Sequence, residues 1–245
     1  MRASLVKLAA WSFLSYLGLA ILQTWPLALH LSTHLTGLPG GDAGVYVWNT
    51  WVFRHQLIDL GLSPFSTLSV LPLDGQTNLS LHNYTVFADI IALPLQPWLG
   101  VVASFNVVYI INVALSGFGM FLLARRFTGR IAESWIAGAM FACSPFLVAR
   151  GASHFSLAAA APLPFFLYFL DRAWRNTRVR DALAAGAAIG WAAFSDPYYG
   201  IYCAMLAALY VAAHVLIVSP TRARPQTRHG VALVDLAIGA LACVI

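Results

Sequence analysis

ALPLQPWLGVVASFNVVYIINVALSGFGMFLLARR, residues Ala92 to Arg126, decides how this chain is laid out. Pro94, Pro97 and Gly100 break its front end, whereas Val101 to Ala124 continues uncharged for more than the roughly 20 residues that cross a bilayer. Arg125 and Arg126 end the run. The piece from Tyr84 to Gly100, which also carries Asp89, is therefore read as a short interfacial or re-entrant segment, and residues 101–124 as a span.

Lys and Arg placement supports that division. Cytoplasmic loops of membrane proteins collect these residues. With the N-terminus inside, one side receives Arg2 and Lys7, then Arg125, Arg126 and Arg130, then Arg172, Arg175, Arg178 and Arg180, then Arg222, Arg224 and Arg228. Of 14 basic residues, only Arg54 and Arg150 fall outside. A further span within 84–100 would move Arg125 to Arg130 to the opposite face and destroy the pattern.

Composition agrees: the 245 residues are 60% hydrophobic and 9% charged, against roughly 45–50% apolar and about 25% charged in soluble domains. The expected fold is all-α, a polytopic transmembrane helical bundle in a single domain, 1–245, with spans near 8–31, 101–124, 131–148, 155–170, 182–194 and 201–218. A seventh, at 231–245, is incomplete, so the chain reads as truncated. The first run is longer than a signal-peptide core and has no small-x-small cleavage site, so it is read as retained. The expected location is the inner (cytoplasmic) membrane, multi-pass, N-terminus cytoplasmic.

The long first extracytoplasmic loop, 32–100, is dense in Gly, Pro and Asp turn residues and is expected to be ordered. Within it, GVYVWNTWVFRHQLIDLG reads as a helix lying along the interface, with Tyr46, Trp48 and Trp51 at headgroup level. Asp42, Asn49 and Gln56 recur at heptad spacing, near one helix face. The three cysteines, Cys143, Cys203 and Cys243, lie in separate apolar runs and read as small fillers. The basic segments read as solvated loops touching anionic lipid, with no nucleic-acid role.

This topology gathers ionisable residues on the outer side: Asp42, Arg54, His55 and His82 from the long loop, Arg150 and His154 from ARGASHFS, and Asp196, Tyr198 and Tyr199 from FSDPYYG. Charge near a bilayer is costly, which favours function or water for such a set. A carboxylate can take a proton from a hydroxyl while Arg, His or a divalent metal offsets charge on a phosphate leaving group. Each residue also has a plainer reading. Asp42 reads locally as the cap of a helix starting near Val45, Arg150 as a snorkelling helix end, His154 as a polar flank, and His55 and His82 as solvated. Asp196 before Pro197 reads as a turn, Tyr198 and Tyr199 as interface anchors, and Asp89 stays open between helix-face polarity and function. Asn78 and Asn83 begin Asn-x-Ser/Thr sequons.

GD followed by W-x-x-W, then PFST, LPLDGQTNLSLHN, ALPLQPWLG, NVVYIINVALSGFGMFLLARRFTG, AGAMFACSPFLVARGASHFSL and PLPFFLYFLDRAW resembles multi-pass bacterial membrane glycosyltransferases of the GT-C superfamily. The resemblance runs from residue 8 to about 215. It implies an inverting transfer of a sugar from a polyprenyl-phosphate-linked donor to a hydroxyl of a glycan, lipid or protein acceptor, on the extracytoplasmic face. It implies Asp42 as the catalytic residue, with His82, Arg150, His154, Asp196, Tyr198 and Tyr199 toward substrate. Relatives of this kind often pair two acids, whereas Ala43 follows Asp42 here. A divalent ion, Mg or Mn, would then fall to Asp42 and Asp196. Two other classes fit the same polar set: a transporter or flippase for a lipid-linked or anionic substrate, and a non-catalytic membrane subunit.

Overall fold

A computed structural model describes residues 2–37, 39–68, 77–79 and 82–218. The expected span at 231–245, Arg222, Arg224, Arg228 and Cys243 lie outside the described residues. The described chain is mostly helical. Among the described residues one antiparallel pair of two-residue strands, β1 (Ser66–Thr67) and β2 (Thr77–Asn78), lies inside the long loop.

Helix α1 (Arg2–Gln23) stops eight residues short of the end of the first apolar run. The Thr24 hydroxyl turns back to the Ala20 carbonyl at 2.8 Å, and a short 3-10 turn, Leu27–Leu29, follows. Helix α2 (Ala43–Arg54) continues as a wider turn, His55–Asp59. Helix α3 (Val86–Ala92) has seven residues, far too few to span, as Asp89 within it and Pro94 just beyond it imply. Helix α4 (Gln96–Thr128) is interrupted at Gly100, whose φ of 76° and ψ of 170° suit a residue without a side chain. Beyond that break it runs straight through the apolar segment to Arg125 and Arg126.

The run at 131–148 is not one helix. Helices α5 (Ile131–Ala142) and α6 (Pro145–Gly151) meet at a 42° bend where Ser144 caps α6 and Pro145 takes its first position. The run at 155–170 is likewise divided, between α7 (Phe155–Ala158) and α8 (Pro162–Asn176). Helix α9 (Val179–Ser195) holds the run at 182–194, and α10 (Pro197–Ala213) holds most of the next. At 1.5 Å per residue, the 15 residues of α8 and 17 of α9 rise roughly 22–26 Å, short of a roughly 30 Å hydrocarbon core. Three helical stretches are long and apolar enough to cross a membrane, Val6–Gln23, Gln96–Thr128 and Pro197–Leu216, with the bent α5–α6 pair as a fourth. These are the features of a membrane protein.

Two compact units divide the chain: Met1–Phe118 with Ala139–Ala159, and Gly119–Gly138 with Ala160–Ile245. In the first, the Tyr16 ring of α1 lies where a side chain on Gly117 of α4 would stand, and Phe13 meets Phe118 edge-on at 5.8 Å. Under the long loop, Val52, Phe53, Leu79 and Tyr84 form a small apolar core with Trp48 and Phe65 against it. In the second, α8, α9 and α10 pack around buried Asp171, which receives Arg126, the Arg175 Nε at 2.7 Å and the Tyr210 hydroxyl at 2.7 Å. Arg172 pairs with Asp181 at 2.8 Å beside them.

Candidate functional site

Asp42 occupies the N-cap position of α2, but its carboxylate accepts no helix N–H. Its Oδ2 lies 2.8 Å from Nδ1 of His154, the residue that precedes α7. Both side chains are partly open to solvent. The cap expected from the local sequence is therefore corrected: the acid is turned away from its own helix toward an imidazole brought from the α6–α7 connection. Two close approaches in the first unit hold that connection. The Thr36 hydroxyl donates to the Gly151 carbonyl at 2.8 Å, and Gly37, at φ 100°, sits where any Cβ would strike the Ala152 carbonyl.

Behind the pair, one face of α2 carries a hydrogen-bonded chain. Tyr46, one turn from Asp42, is fully buried; its hydroxyl meets the Ser156 hydroxyl at 3.1 Å and accepts from the Asn83 amide. Its ring stands edge-on to His154 and Phe155, at 6.5 and 5.7 Å. Asn49, two turns along, donates to the Asn83 carbonyl at 2.7 Å, and its Oδ1 is 3.0 Å from Nε2 of His82. Burial lowers the His82 pKa, favouring the neutral ring in that contact. Gln56 closes the heptad face by donating to Thr67 at 3.3 Å.

A second buried node sits deeper. Thr50 donates to Asp89 Oδ1 at 2.7 Å, and Gln96 donates to the Thr50 carbonyl at 3.0 Å. Asp89 Oδ2 and Gln96 Oε1 are buried without a hydrogen-bond partner among the described residues. Burial pushes the Asp89 carboxyl up to about 7, against the opposing pull of the Thr50 hydrogen bond. Asp89, left open by the sequence, is thus an interior acid rather than a helix-face polar residue.

Of the expected site residues, Asp42, His154 and His82 come onto one assembly. Arg150 lies one turn before His154, with its guanidinium over the Phe146 ring at 5.6 Å. Arg54 and His55 pair locally with Asp59, at 3.5 and 3.1 Å. Asp196, Tyr198 and Tyr199 belong to the second unit: Asp196 caps α10 by accepting from the Tyr198 N–H at 2.9 Å, Tyr198 is exposed, and Tyr199 is buried against Tyr202. Asp42 and Asp196, the carboxylates to which a Mg or Mn ion would fall, belong to different units and each has its own partner. One carboxylate is engaged by an imidazole, the other by a helix N-terminus, and no group of three His, Cys, Asp or Glu side chains assembles among the described residues.

Tyr46, Asn83 and Ser156 were not expected at the site. Tyr46, read as an interface anchor, is instead an interior hub; its position four residues after Asp42 was the available signal. Asn83, read as a sequon, spends its amide on Tyr46. Cys143 is more than filler, since its thiol reaches Gln23 at 3.3 Å.

The first unit also holds a half-open cavity of about 320 Å³, which neither Asp42 nor His154 lines. Its walls are Gln23 to Leu27 after α1, His30 and the stretch His34 to Gly37, Tyr109 of α4, and Val148 and Ala152 of the α6 region. Ala152 lies two residues from His154, and Gly37 five from Asp42, so the cavity and the carboxylate–imidazole pair share their supporting backbone. The lining mixes aromatic and aliphatic surface with hydroxyl, amide and imidazole groups, as amphipathic ligands require.

No curated protein and no solved structure matches the chain, whereas the family model described as a domain of unknown function, DUF6311, matches residues 8–245, and the chain belongs to that family.

Proposed function

We propose that the chain is a membrane glycosyltransferase, or the membrane part of one, that moves a sugar from a polyprenyl-phosphate donor to an acceptor hydroxyl. The observation that carries this reading is the carboxylate of Asp42, partly exposed and held by His154 instead of capping its helix, in the unit that also holds an amphipathic cavity. In the proposed step Asp42 takes the hydroxyl proton, the acceptor oxygen bonds to the anomeric carbon from the face opposite the phosphate, and the C–O bond to phosphate breaks. The electron pair leaves with the polyprenyl phosphate, and the anomeric centre inverts. His154 Nδ1–H orients the carboxylate through Oδ2, leaving Oδ1 to meet the acceptor. Arg150 is the nearest cation in sequence to offset charge on the leaving phosphate.

The Lys and Arg pattern supports an inner-membrane location with the N-terminus in the cytoplasm and Asp42 outside. Cysteine labelling from either side at position 40 tests the orientation. Transfer from polyprenyl-phosphate sugars by the purified protein in proteoliposomes tests the activity. Movement of the same lipid across the bilayer without a covalent product would favour the transporter reading instead.

A further inference from the structure

His30 and His34 form a feature that the transfer reading does not use. The His34 N–H donates to the His30 carbonyl at 3.0 Å, a single α-turn that sets the two rings one above the other, with centroids 4.6 Å apart. Both residues are exposed and both line the 320 Å³ cavity. The turn is pinned from beneath: the buried Asn106 of α4 donates its amide to the Leu31 and His34 carbonyls, each at 2.7 Å. Two imidazoles four residues apart on a fixed turn are already neighbours, so no backbone rearrangement is needed to bring both onto one ion.

One of the two ring tautomers that these hydrogen bonds allow suits a metal ligand. Thr33 Oγ1 lies 2.9 Å from His34 Nδ1 and 3.4 Å from the His30 carbonyl. With the hydroxyl proton directed at that carbonyl, Thr33 oxygen accepts from Nδ1–H. Nε2 then keeps its lone pair, the state a metal ligand needs. The geometry points to His30 and His34 as a two-imidazole site for a transition-metal dication of the Cu, Ni or Zn class. No third His, Cys, Asp or Glu joins them among the described residues, so the remaining coordination positions face water or a ligand in the cavity. Such a site is open. Its nitrogen donors discriminate against Mg and Ca, which prefer oxygen cages. The inference concerns the metal alone and stands or falls independently of sugar transfer.

The test uses the whole chain in detergent, carrying an affinity tag free of histidine and stripped with a chelator. Cu2+ alone is titrated, affinity is read by calorimetry, and ligating nitrogens are counted by electron paramagnetic resonance. One ion per chain with two nitrogens is expected. His30→Ala and His34→Ala should each lose about 10–100-fold in affinity or more, Thr33→Val about tenfold, while His55→Ala should leave binding unchanged. A single nitrogen on the unsubstituted protein, undiminished binding in the His30→Ala/His34→Ala double variant, or loss that follows His154→Ala would each overturn the assignment. The nitrogen count needs no variant, so it decides the matter even if a substitution prevents folding.

Discussion

Nδ1 of His154 holds Oδ2 of Asp42 at 2.8 Å, joining the start of α2 to the start of α7 across most of the first unit's sequence. An exposed pair of this kind contributes under about 1 kcal/mol to stability, so its removal should be felt in chemistry and not in folding. Asp42→Asn is expected to lower transfer by about 10²–10⁴-fold with an unchanged melting temperature. His154→Ala should lower it less, because the base remains but its orientation is lost. Full activity in Asp42→Asn would remove the acid from the mechanism.

Tyr46→Phe deletes one hydroxyl from a fully buried ring and strands the Ser156 hydroxyl. A loss of about 1–2 kcal/mol is expected in thermal unfolding of the solubilised protein. Because the two hydroxyls share one bond, Tyr46→Phe with Ser156→Ala should cost less than the two single changes summed.

Asp89 makes stability pH-dependent. Its carboxyl binds a proton more tightly when folded, up to about 7, than the ordinary 3.8 of an unfolded aspartate. The neutral form is thus favoured inside, and stability falls as pH rises from about 4 toward 7, by a few kcal/mol in total. Unfolding followed between pH 5 and pH 8 should show the unsubstituted protein strengthening on acidification. Asp89→Asn should flatten that slope and be the more stable form at pH 8.

Asp171→Ala would leave Arg126, Arg175 and the Tyr210 hydroxyl around an empty position in the second unit. Losing one member of a buried ionic cluster costs about 3–5 kcal/mol. The expected result is a sharp fall in the yield of folded protein, read by size-exclusion chromatography in detergent.

Gly37→Ala tests the backing of the cavity. The added carbon must displace the Ala152 carbonyl, and φ 100° is itself strained for alanine. A loss of about 1–3 kcal/mol is expected, together with weaker engagement of His154 by Asp42, visible as reduced transfer at temperatures where the protein stays folded.

What the sequence makes legible is mostly local. Pro94, Pro97 and Gly100 announce the break before the long span, and Ser144-Pro145 and Pro162 mark breaks that apolar length alone passes over, since hydropathy averages across a bend. The heptad of Asp42, Asn49 and Gln56 suggests one face of a continuous helix, whereas Asp42 stands at the N-cap position of α2, Gln56 falls in the wider turn after it, and Asn49 and Gln56 are buried. The partner of Asp42 depends on a connection that returns after α4, α5 and α6, and nothing near residue 42 encodes it. Burial of Tyr46 is hidden for the same reason: a tyrosine between apolar residues has one composition at an interface and in an interior.

Helices α1, α4 and α10 each carry a stretch apolar enough to cross a membrane, yet the share of its most apolar window that is buried by protein is 17%, 61% and 11%. The first and last are asked only to be greasy, and exchange of Leu for Ile, Val or Met along them should pass almost unnoticed. Each covered position of α4 meets a neighbour of fixed shape, so there the same exchanges are constrained by volume. A saturation library of the whole chain should therefore sort by helix, with α4 tolerating the narrowest vocabulary of the three.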